Sequence, residues 1–454
     1  MSLKLDWEIE AEQSHQRSSG EDPRTARQRR QARLRLLLFL AAVLGVLGVS
    51  GAAILIRLET VRSEIEDQLR STVEAEVAAL RFGDWLAFSS VQRSASGVWM
   101  QDQERFFYEY QQLKLNHQVQ LTGRVVDTEI DRERGRVAVE EIIDGVPYIR
   151  TWFYWRYDDG WRHVPPDYTF WGEARQAAGR WATIRYRAVD EPLASDLRAR
   201  LDEWIGTACG ALNCSPPPVM VEIIPDDALR VAWSPADPWL LQMPSPYVGR
   251  ARADRPFDLD LQFEVANALA ERLVLASSNN LQPTYPADVY YLRQAIVSWL
   301  VGEFVQVDTN AFIIQSLARN YGPAAVGRLL QAMPPDGDAR VLNAATGASS
   351  LDQIELDWRD LLTWRLVTEA ELIQRRDEAG FLALYDTRDA AIRDLAYRRF
   401  SAPPEITQPV VVSALREPGS DGTPQLRAVV QTRDGTPVGD VLFRLADGVW
   451  RRAN

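Results

Sequence analysis

Two patterns of apolar and polar residues follow one another near the start of the chain. Residues 36–56 are a run of 21 residues without a charge, which is long enough to cross a hydrocarbon core of about 30 Å as a helix. After this run, apolar side chains recur at steps of three and four, the period of an amphipathic helix. These side chains are Leu58, Val61, Ile65, Leu69, Val73, Val77 and Leu80. The two patterns predict a transmembrane helix over residues 36–56 that continues as a helical stalk over residues 57–82.

The charges that flank the apolar run predict its orientation. Residues 24–35 contain six arginines and no acid, whereas residues 57–67 mix arginine with glutamate and aspartate. Because cytoplasmic flanks carry an excess of Lys and Arg, we expect residues 1–35 to be cytoplasmic and residues 57–454 to lie outside. Residues 1–35 have no apolar period and are predicted to be disordered. The alternative is a cleaved signal peptide, which would have a shorter apolar core followed by a small-residue cleavage site.

The arginine cluster at residues 24–35 also bears on binding partners. It could be a nucleic-acid-binding arm, but the whole chain has a net charge of −12 and a pI near 5.0, and phosphate binding needs a basic face. Next to a transmembrane segment, such a cluster contacts anionic lipid headgroups. We therefore expect the lipid bilayer to be a partner, through residues 36–56, and expect no nucleic-acid partner.

Helical and strand-like patterns alternate in the same order at both ends of the exported part. An aromatic-rich helical stretch over residues 83–115 precedes strand-like runs separated by turns. These runs are residues 119–131, 136–144, 146–157 and 161–164. Near the other end of the chain, AGFLALYDTR (379–388) matches GDWLAFSSVQ (83–92), and LADGVWRRA (445–453) matches YDDGWRHV (157–164).

Helices followed by an antiparallel meander resemble the NTF2-like (SnoaL-like) cone fold, and the internal repetition strengthens this resemblance. The resemblance implies NTF2-like domains at residues 70–176 and 368–454, each with a cavity that in some relatives binds small molecules or carries acid–base chemistry. Alternation along residues 146–157 places four polar or aromatic side chains on one face. The resulting ligand-binding candidates are Asp84, Tyr148, Arg150, Trp152, Tyr154 and His163. The alternatives are a helix cap or a solvated turn acid for Asp84, a surface or strand-end residue for His163, and core packing for the aromatic side chains.

Apolar stripes at helical spacing also predict two central helices, at residues 261–273 and 287–305. A predicted helix at 192–212, a strand at 219–224 and the segment LLQMPSP (240–246) precede them, and ATGASSLDQIELDW (345–358) follows. This succession resembles the gluzincin metallopeptidases of the bacterial peptidase-MA-like type. In that family a HExxH helix is followed by a W-L-x-E-G-x-A-x-Y helix and later by an A-x-G-x-S turn and a closing E-x-x-W. The resemblance covers about residues 187–366, implies a peptidase-MA-like domain over 177–367, and makes 240–246 the family's edge strand.

The zinc ligands that this resemblance implies are missing. In a HExxH helix two histidines on one face hold zinc while the glutamate acts as a base on metal-bound water. The matching positions here are Phe263, Glu264, Val265, Ala266 and Asn267, and the third family ligand aligns with Gln294. The three histidines of the chain are His15, His117 and His163. We therefore predict a domain without metal, cofactor or catalysis, with vestigial positions Phe263, Glu264, Asn267 and Gln294. The alternative is that residues 261–273 are an ordinary core helix.

Two cysteines, Cys209 and Cys214, lie in ACGALNCSPPP, where glycine, asparagine and proline indicate a loop. In an exported domain they would be a candidate disulfide, and the alternative is a pair of free thiols.

These patterns predict an α+β multidomain chain. It would have a single N-terminal transmembrane helix, an NTF2-like cone, a mostly helical gluzincin-like domain with a small sheet, and a second NTF2-like cone. We expect a membrane-anchored extracytoplasmic binding or scaffold protein whose ligand is a peptide, a protein or a small molecule. The alternative is an enzyme, either a hydrolase with an altered site around Glu264 or one with acid–base chemistry in the first cone. A purely structural envelope component that assembles through its stalk is the third possibility.

Overall fold

The structure is a computed structural model that describes residues 23–402, 408–419 and 422–454. Two compact units can be distinguished. The first unit comprises Met1–Gln112, Gly123–Val137 and Phe153–Val164, and the second comprises Leu113–Thr122, Ala138–Trp152 and Pro165–Asn454. Helices and strands are mixed, and the strands form small sheets, as an α+β chain requires.

One continuous helix, α1 (Pro23–Phe82), opens the described chain. The predicted disordered tail is therefore wrong for residues 23–35, because this stretch is rich in Arg, Gln, Ala and Leu, all good helix formers, and it extends an apolar helix. Residues 1–22 of the predicted tail lie outside the described residues. Among the described residues, α1 is the one helix long and apolar enough to cross a membrane, and none of its most apolar window is buried. A transmembrane span and a signal sequence both fit this description.

The amphipathic stripe of α1 is covered along part of its length. Leu69, Val73 and Leu80 are fully buried, whereas Leu58 and Val61 are exposed. The stripe therefore packs within its own unit from Leu69 onward.

Two helices and four strands follow α1. They are α2 (Trp85–Val91), α3 (Gly97–Asn116), β1 (Val119–Asp131), β2 (Arg134–Ile143), β3 (Val146–Tyr157) and β4 (Gly160–Val164). The four predicted strands are confirmed to within two residues at every end. The sheet has the order β1-β2-β3, and β4 pairs with β3 in antiparallel fashion.

A second sheet forms part of the second unit. Its strands are β5 (Ala174–Ala178), β6 (Ala182–Arg187), β7 (Val219–Ile224), β8 (Ala232–Trp233) and β9 (Leu240–Pro244). Their order is β5-β6-β7-β9-β8, with β6, β7 and β9 parallel and an antiparallel strand at each edge. The predicted edge strand is wrong, because β9 pairs on both sides and β8 is the edge. A strand of two residues has too few side chains to show an alternating pattern.

The remaining two-residue strand, β10 (Ala251–Arg252), pairs with β3 instead of with the second sheet. Six helices pack on or beside the second sheet. They are α4 (Glu191–Leu212), α5 (Leu259–Ser277), α6 (Asp288–Val305), α7 (Phe312–Tyr321), α8 (Ala324–Ala332) and α9 (Val341–Thr346). The core includes Trp204 of α4, whose ring stacks on that of Phe304 in α6 with centroids 5.3 Å apart. The predicted helices at 192–212, 261–273 and 287–305 are confirmed.

Three helices and a four-stranded sheet end the chain. They are α10 (Arg359–Arg375), α11 (Glu378–Ala383), α12 (Ala390–Ser401), β11 (Pro409–Pro418), β12 (Pro424–Thr432), β13 (Pro437–Ala446) and β14 (Val449–Arg452). The strands form an antiparallel meander in chain order. Helix α10 packs against β11, where the amide of Val411 donates to Thr363 Oγ1 at 2.9 Å.

This last part repeats the order of elements from the end of α1 to β4, and we call the two arrangements the first copy and the second copy. The turn after the first helix is the same in both, since Gly83 and Arg376 have φ of 74° and 58°. Asp84 and Asp377 then cap the short helix by accepting from the backbone amide three residues later, at 3.0 and 2.9 Å. Pairing the two caps defines a register between the copies. The sequence match of 83–92 with 379–388 is shifted by three residues from that register, because it aligned aromatic residues instead of the caps.

Two predicted domain boundaries cut through elements. Strand β5 (Ala174–Ala178) pairs with β6, so the second sheet begins before residue 177. Helix α10 (Arg359–Arg375) runs without a break through the boundary predicted at 367/368. It is the first helix of the second copy, and it also packs against α6 and α7. The assignment of the two copies to the NTF2-like fold stays a prediction.

Candidate functional site

The positions on α5 that were predicted to be vestigial face away from the protein core, apart from the spacer residues between them. The helix begins at Asp258, whose side chain accepts from the amide of Leu261 at 3.0 Å. One face of α5 is buried through Val265, Ala266, Leu269, Leu273 and their neighbours. Glu264 and Asn267 are exposed on the other side, and Phe263 is half-buried. Of the five positions from Phe263 to Asn267, only Val265 and Ala266 are buried.

Helix α6 brings Gln294 to the same surface. Gln294 is exposed, while its neighbours Ala295 and Ile296 are buried. Asn267 and Gln294 together line a depression of about 570 Å³ and an adjoining one of about 360 Å³. Glu264, Phe263 and Asn267 line a third depression, of about 650 Å³. Since Asn267 borders all three, they form one open surface, which we call the α5–α6 groove.

The edge strand β8 contributes one wall of the α5–α6 groove. The indole Nε1 of Trp233 donates to the carbonyl oxygen of Ala268 at 3.0 Å, which ties β8 to α5. The guanidinium of Arg272 lies over the Trp233 ring, 5.0 Å from its centroid. Trp233 lines both the first and the third depressions. These contacts fix the position of β8 relative to α5.

The far end of the groove is backed by a buried acid. Tyr291 lines the second depression and stacks on Trp364 with centroids 5.6 Å apart. Behind it, both carboxylate oxygens of Asp360 accept from the amide of Ile313, at 3.2 and 3.1 Å. Burial raises the pKa of Asp360 to about 6 even though this amide opposes the shift. Burial also raises the pKa of Tyr291 far above its ordinary value, with a further contribution from Asp360. Sequence reasoning missed this pair because its members lie on different helices.

The polar groups of the groove include amide and carboxylate side chains. Asn267 Nδ2 donates to Glu271 Oε1 at 3.2 Å. Amide side chains offer donors and acceptors to a polar ligand, but zinc sites are built from His, Cys and carboxylate ligands. Among the residues that the structure describes, no group of three or more His, Cys, Asp and Glu side chains could hold a metal ion.

In the first copy, the candidate pair Asp84 and His163 is not brought together as an acid–base pair. Asp84 is exposed and caps α2. His163 is buried, and its Nδ1 lies 2.6 Å from Oε1 of Glu76. The other oxygen of Glu76 accepts from Tyr154 Oη at 2.7 Å, and Gln92 Nε2 donates to Oε1 at 2.7 Å. We call Glu76 and these three partners the first glutamate cluster.

Every member of the first glutamate cluster is shielded from solvent. Glu76 and Tyr154 are fully buried, and Gln92 and His163 are exposed by 7% and 5%. Burial raises the pKa of Tyr154 well above its ordinary value, and the nearby Glu76 carboxylate adds to this shift. Such a network fixes α1 against β3 and β4 and leaves no accessible acid or base for a substrate.

The second copy has a matching cluster. Glu369 of α10 corresponds to Glu76 in the register set by the caps, and its Oε2 accepts from Arg452 Nη1 at 2.6 Å and from Tyr385 Oη at 3.1 Å. Tyr385 and Arg452 also form an isolated parallel bridge, as Gln92 and His163 do in the first copy. We call these three residues the second glutamate cluster.

Sequence analysis missed both glutamates, although a signal was present. Residues 69–80 (LRSTVEAEVAAL) and 362–373 (LTWRLVTEAELI) share leucine at the first position, a glutamate at the eighth and an apolar residue at the fifth and twelfth. Those positions all fall on one helix face. A glutamate within an apolar stripe indicates a buried carboxylate that needs partners.

The other first-copy candidates fall on a mostly covered strand. Trp152 is buried, and Tyr148 and Arg150 are half-buried. In the second unit, Arg150 Nε lies 3.9 Å from Oε1 of the buried Glu141. Arg250 also bonds Glu141, and its guanidinium lies 5.8 Å from the ring centroid of Tyr148. These contacts favour a structural role for all three.

Cys209 and Cys214 form a disulfide, with their Cα atoms 4.6 Å apart. The predicted loop begins later than expected, because Cys209 belongs to the last turn of α4 and the helix ends at Asn213, which is left-handed. The disulfide therefore joins a helix end to the segment that follows it.

No family model, curated protein sequence or solved structure matches this chain.

Proposed function

We propose that the chain is a membrane-anchored extracytoplasmic binding protein, and that its α5–α6 groove holds an extended peptide without cutting it. In this proposal residues 177–367 have the architecture of a gluzincin peptidase without its zinc ligands, flanked by two NTF2-like domains.

The membrane anchor is supported by the composition of α1. Its 21 uncharged residues at 36–56 follow an arginine-rich flank, which favours a cytoplasmic N-terminus. The same helix continues without a break into the first folded unit. An uncleaved signal anchor explains this continuity, since cleavage would separate the apolar run from the helix that packs in the unit.

The convergence of Glu264, Asn267 and Gln294 on one open groove carries the binding proposal. Two helices and a sheet edge contribute to that groove, and the three side chains are exposed there. Glu264 and Asn267 lie one turn apart on α5, and Gln294 lies on α6, which packs beside it. A groove with a short sheet edge on one side and amide groups on its floor suits an extended chain, which presents alternating donors and acceptors.

The chemistry of these positions disfavours catalysis. Phe263, Asn267 and Gln294 replace the ligands that would fix zinc, and Glu264 alone has no metal-bound water to deprotonate. The alternative acid–base site in the first copy is disfavoured because Glu76 and His163 are buried and bonded to each other.

Blocking the groove tests this function. The full-length chain in lipid nanodiscs is incubated with a randomised hexapeptide pool, and retained peptides are quantified by mass spectrometry. Ser298 is exposed on α6 within the groove, and Ser195 is exposed on α4 outside it. We expect Ser298→Trp to lower retention by about tenfold or more, equivalent to 1.4 kcal/mol, and Ser195→Trp to leave it unchanged. If the unaltered chain retains no peptide, or if both variants behave alike, the proposal is wrong.

A further inference from the structure

Two arginines line the 570 Å³ depression of the α5–α6 groove, Arg272 of α5 and Arg293 of α6. Among its described lining residues, the one acid is Glu271, whose Oε1 accepts from Asn267. The depression therefore carries a net positive charge in a chain whose overall charge is −12.

Within the described ranges, no ion pair of 4 Å or less includes Arg272 or Arg293, although Glu271 is near enough to Arg293 to affect its pKa. Arg272 lies over the Trp233 ring, and Arg293 donates through Nη1 to the carbonyl oxygen of Leu281 at 2.5 Å. A guanidinium has five N–H donors, so most of the donors of both groups remain for a ligand.

Several arginines elsewhere in the second unit are paired with acids. Arg359 and Arg388 bond Asp357 and Asp386, each two residues earlier in the chain. Arg365 bonds Asp288 within the core. Arg272 and Arg293 differ from these three arginines because no acid lies within 4 Å of either guanidinium among the described residues, and both groups line the same depression.

The surroundings of Arg293 favour the binding of an anion to its guanidinium. The side chain is half-buried. This burial lowers the pKa of the guanidinium because the charged form loses hydration, and the nearby Glu271 opposes the shift only in part. An anion in the depression would replace the lost hydration.

We propose that Arg272 and Arg293 bind a carboxylate of the peptide held in the groove. This inference rests on the proposed function. A carboxylate fits because a guanidinium can hold its two oxygens with two parallel N–H bonds. The same depression offers Leu275, Val297 and Tyr290 for an apolar side chain beside that carboxylate. Asn267 and Gln294 can then bond the backbone of the preceding residues. The carboxylate comes from the peptide's C-terminus or from an Asp or Glu side chain.

Three peptide pools separate these sources. All contain N-acetylated hexapeptides: the first has a free C-terminus and no acidic residue, the second has an amidated C-terminus and no acidic residue, and the third is amidated and contains one glutamate. Each pool is incubated with the full-length chain in nanodiscs at low and high salt. Retention is compared among the unaltered chain, Arg272→Gln, Arg293→Gln and the control Arg319→Gln, an exposed arginine of α7 outside the groove.

We expect the free-acid pool or the glutamate pool to be retained about tenfold better than the neutral pool, with an advantage that shrinks at high salt. Either groove substitution should remove this advantage, and Arg319→Gln should keep it. Arg293→Lys keeps the positive charge but cannot form two parallel N–H bonds to a carboxylate. Its retention advantage for the acidic pools should therefore lie between those of the unaltered chain and Arg293→Gln. Equal retention of all three pools overturns the carboxylate inference and leaves the peptide groove standing. Retention of none of them overturns the proposed function as well.

Discussion

The first and second copies both bury a glutamate side chain, but different groups stabilise its carboxylate. In both, a helix carries a glutamate into an apolar interior, and the carboxylate is bonded by a residue after the short helix and a residue on the last strand. The first copy uses Gln92, Tyr154 and His163, and the second uses Tyr385 and Arg452. The first cluster therefore balances its buried carboxylate with neutral or titratable groups, whereas the second balances it with a permanent cation. The backbone arrangement is repeated, but the side chains that stabilise it are not.

The largest expected effect comes from removing that cation. Arg452→Ala removes the nearer of the two cations that pair with the buried Glu369 and leaves only Arg399, whose Nη2 lies 4.0 Å from Oε2. Breaking a buried pair costs about 3–5 kcal/mol. The free energy of unfolding of the full chain in detergent, measured with denaturant, should fall by this amount. Arg451→Ala is the matched control on the same strand, because its pair with Asp447 is partly exposed and should cost at most about 1 kcal/mol. Equal effects of the two variants would mean that the second cluster does not stabilise its copy.

The second prediction concerns pH and compares equivalent helix positions. Asp360 of α10 corresponds to Asp67 of α1; Asp360 is buried and Asp67 is exposed. Since the folded pKa of Asp360 is raised from 3.8 to about 6, the folded protein holds its proton more tightly than the unfolded chain does. Its contribution to stability is fully present below about pH 4 and is lost as the pH rises through 6, which amounts to about 3 kcal/mol.

Measurements of the free energy of unfolding between pH 4 and pH 7 test whether stability falls as the pH rises. Asp360→Asn should flatten the decline in stability over this range, and Asp67→Asn should leave it as it is. A decline that persists in Asp360→Asn would assign the pH dependence to another group.

A smaller effect is expected in the first cluster. His163→Ala removes one of three partners of Glu76, while Gln92 and Tyr154 stay in place. We expect a loss of about 1–3 kcal/mol, the cost of a buried acceptor that loses a bond. His117→Ala is the control, since His117 pairs with Asp144 at an exposed site and should cost at most about 1 kcal/mol. Thermal unfolding in detergent measures both, and a larger loss for His163→Ala than for Arg452→Ala would reverse the comparison.

Local patterns in the sequence were sufficient for much of the fold. The stripe through Leu69 and Leu80, the strand at 219–224 and the helix at 287–305 all follow from apolar periodicity, because one face of each element is buried. Strand β8 could not be found in this way, since two residues have no period. Residues 23–35 were misassigned because a charged stretch that adjoins an apolar helix can continue it.

The candidate site was predictable only in part. The candidate positions on α5 and α6 were chosen from a family resemblance, and the structure places Glu264, Asn267 and Gln294 in one groove. Arg272 and Arg293 were not found, because a single arginine on a helix looks like an ordinary exposed charge. Pairs such as Tyr291 and Asp360 depend on tertiary contacts between distant segments, which no local pattern contains.

The most direct test of the central claim is the metal content of the full-length chain, purified without chelators and measured by inductively coupled plasma mass spectrometry. The account predicts that zinc stays far below one atom per chain, even after incubation with zinc and removal of the excess. One tightly held zinc per chain that is lost in the variant Glu264→Gln would contradict it, because the α5–α6 groove would then be a metal site and not a metal-free binding groove.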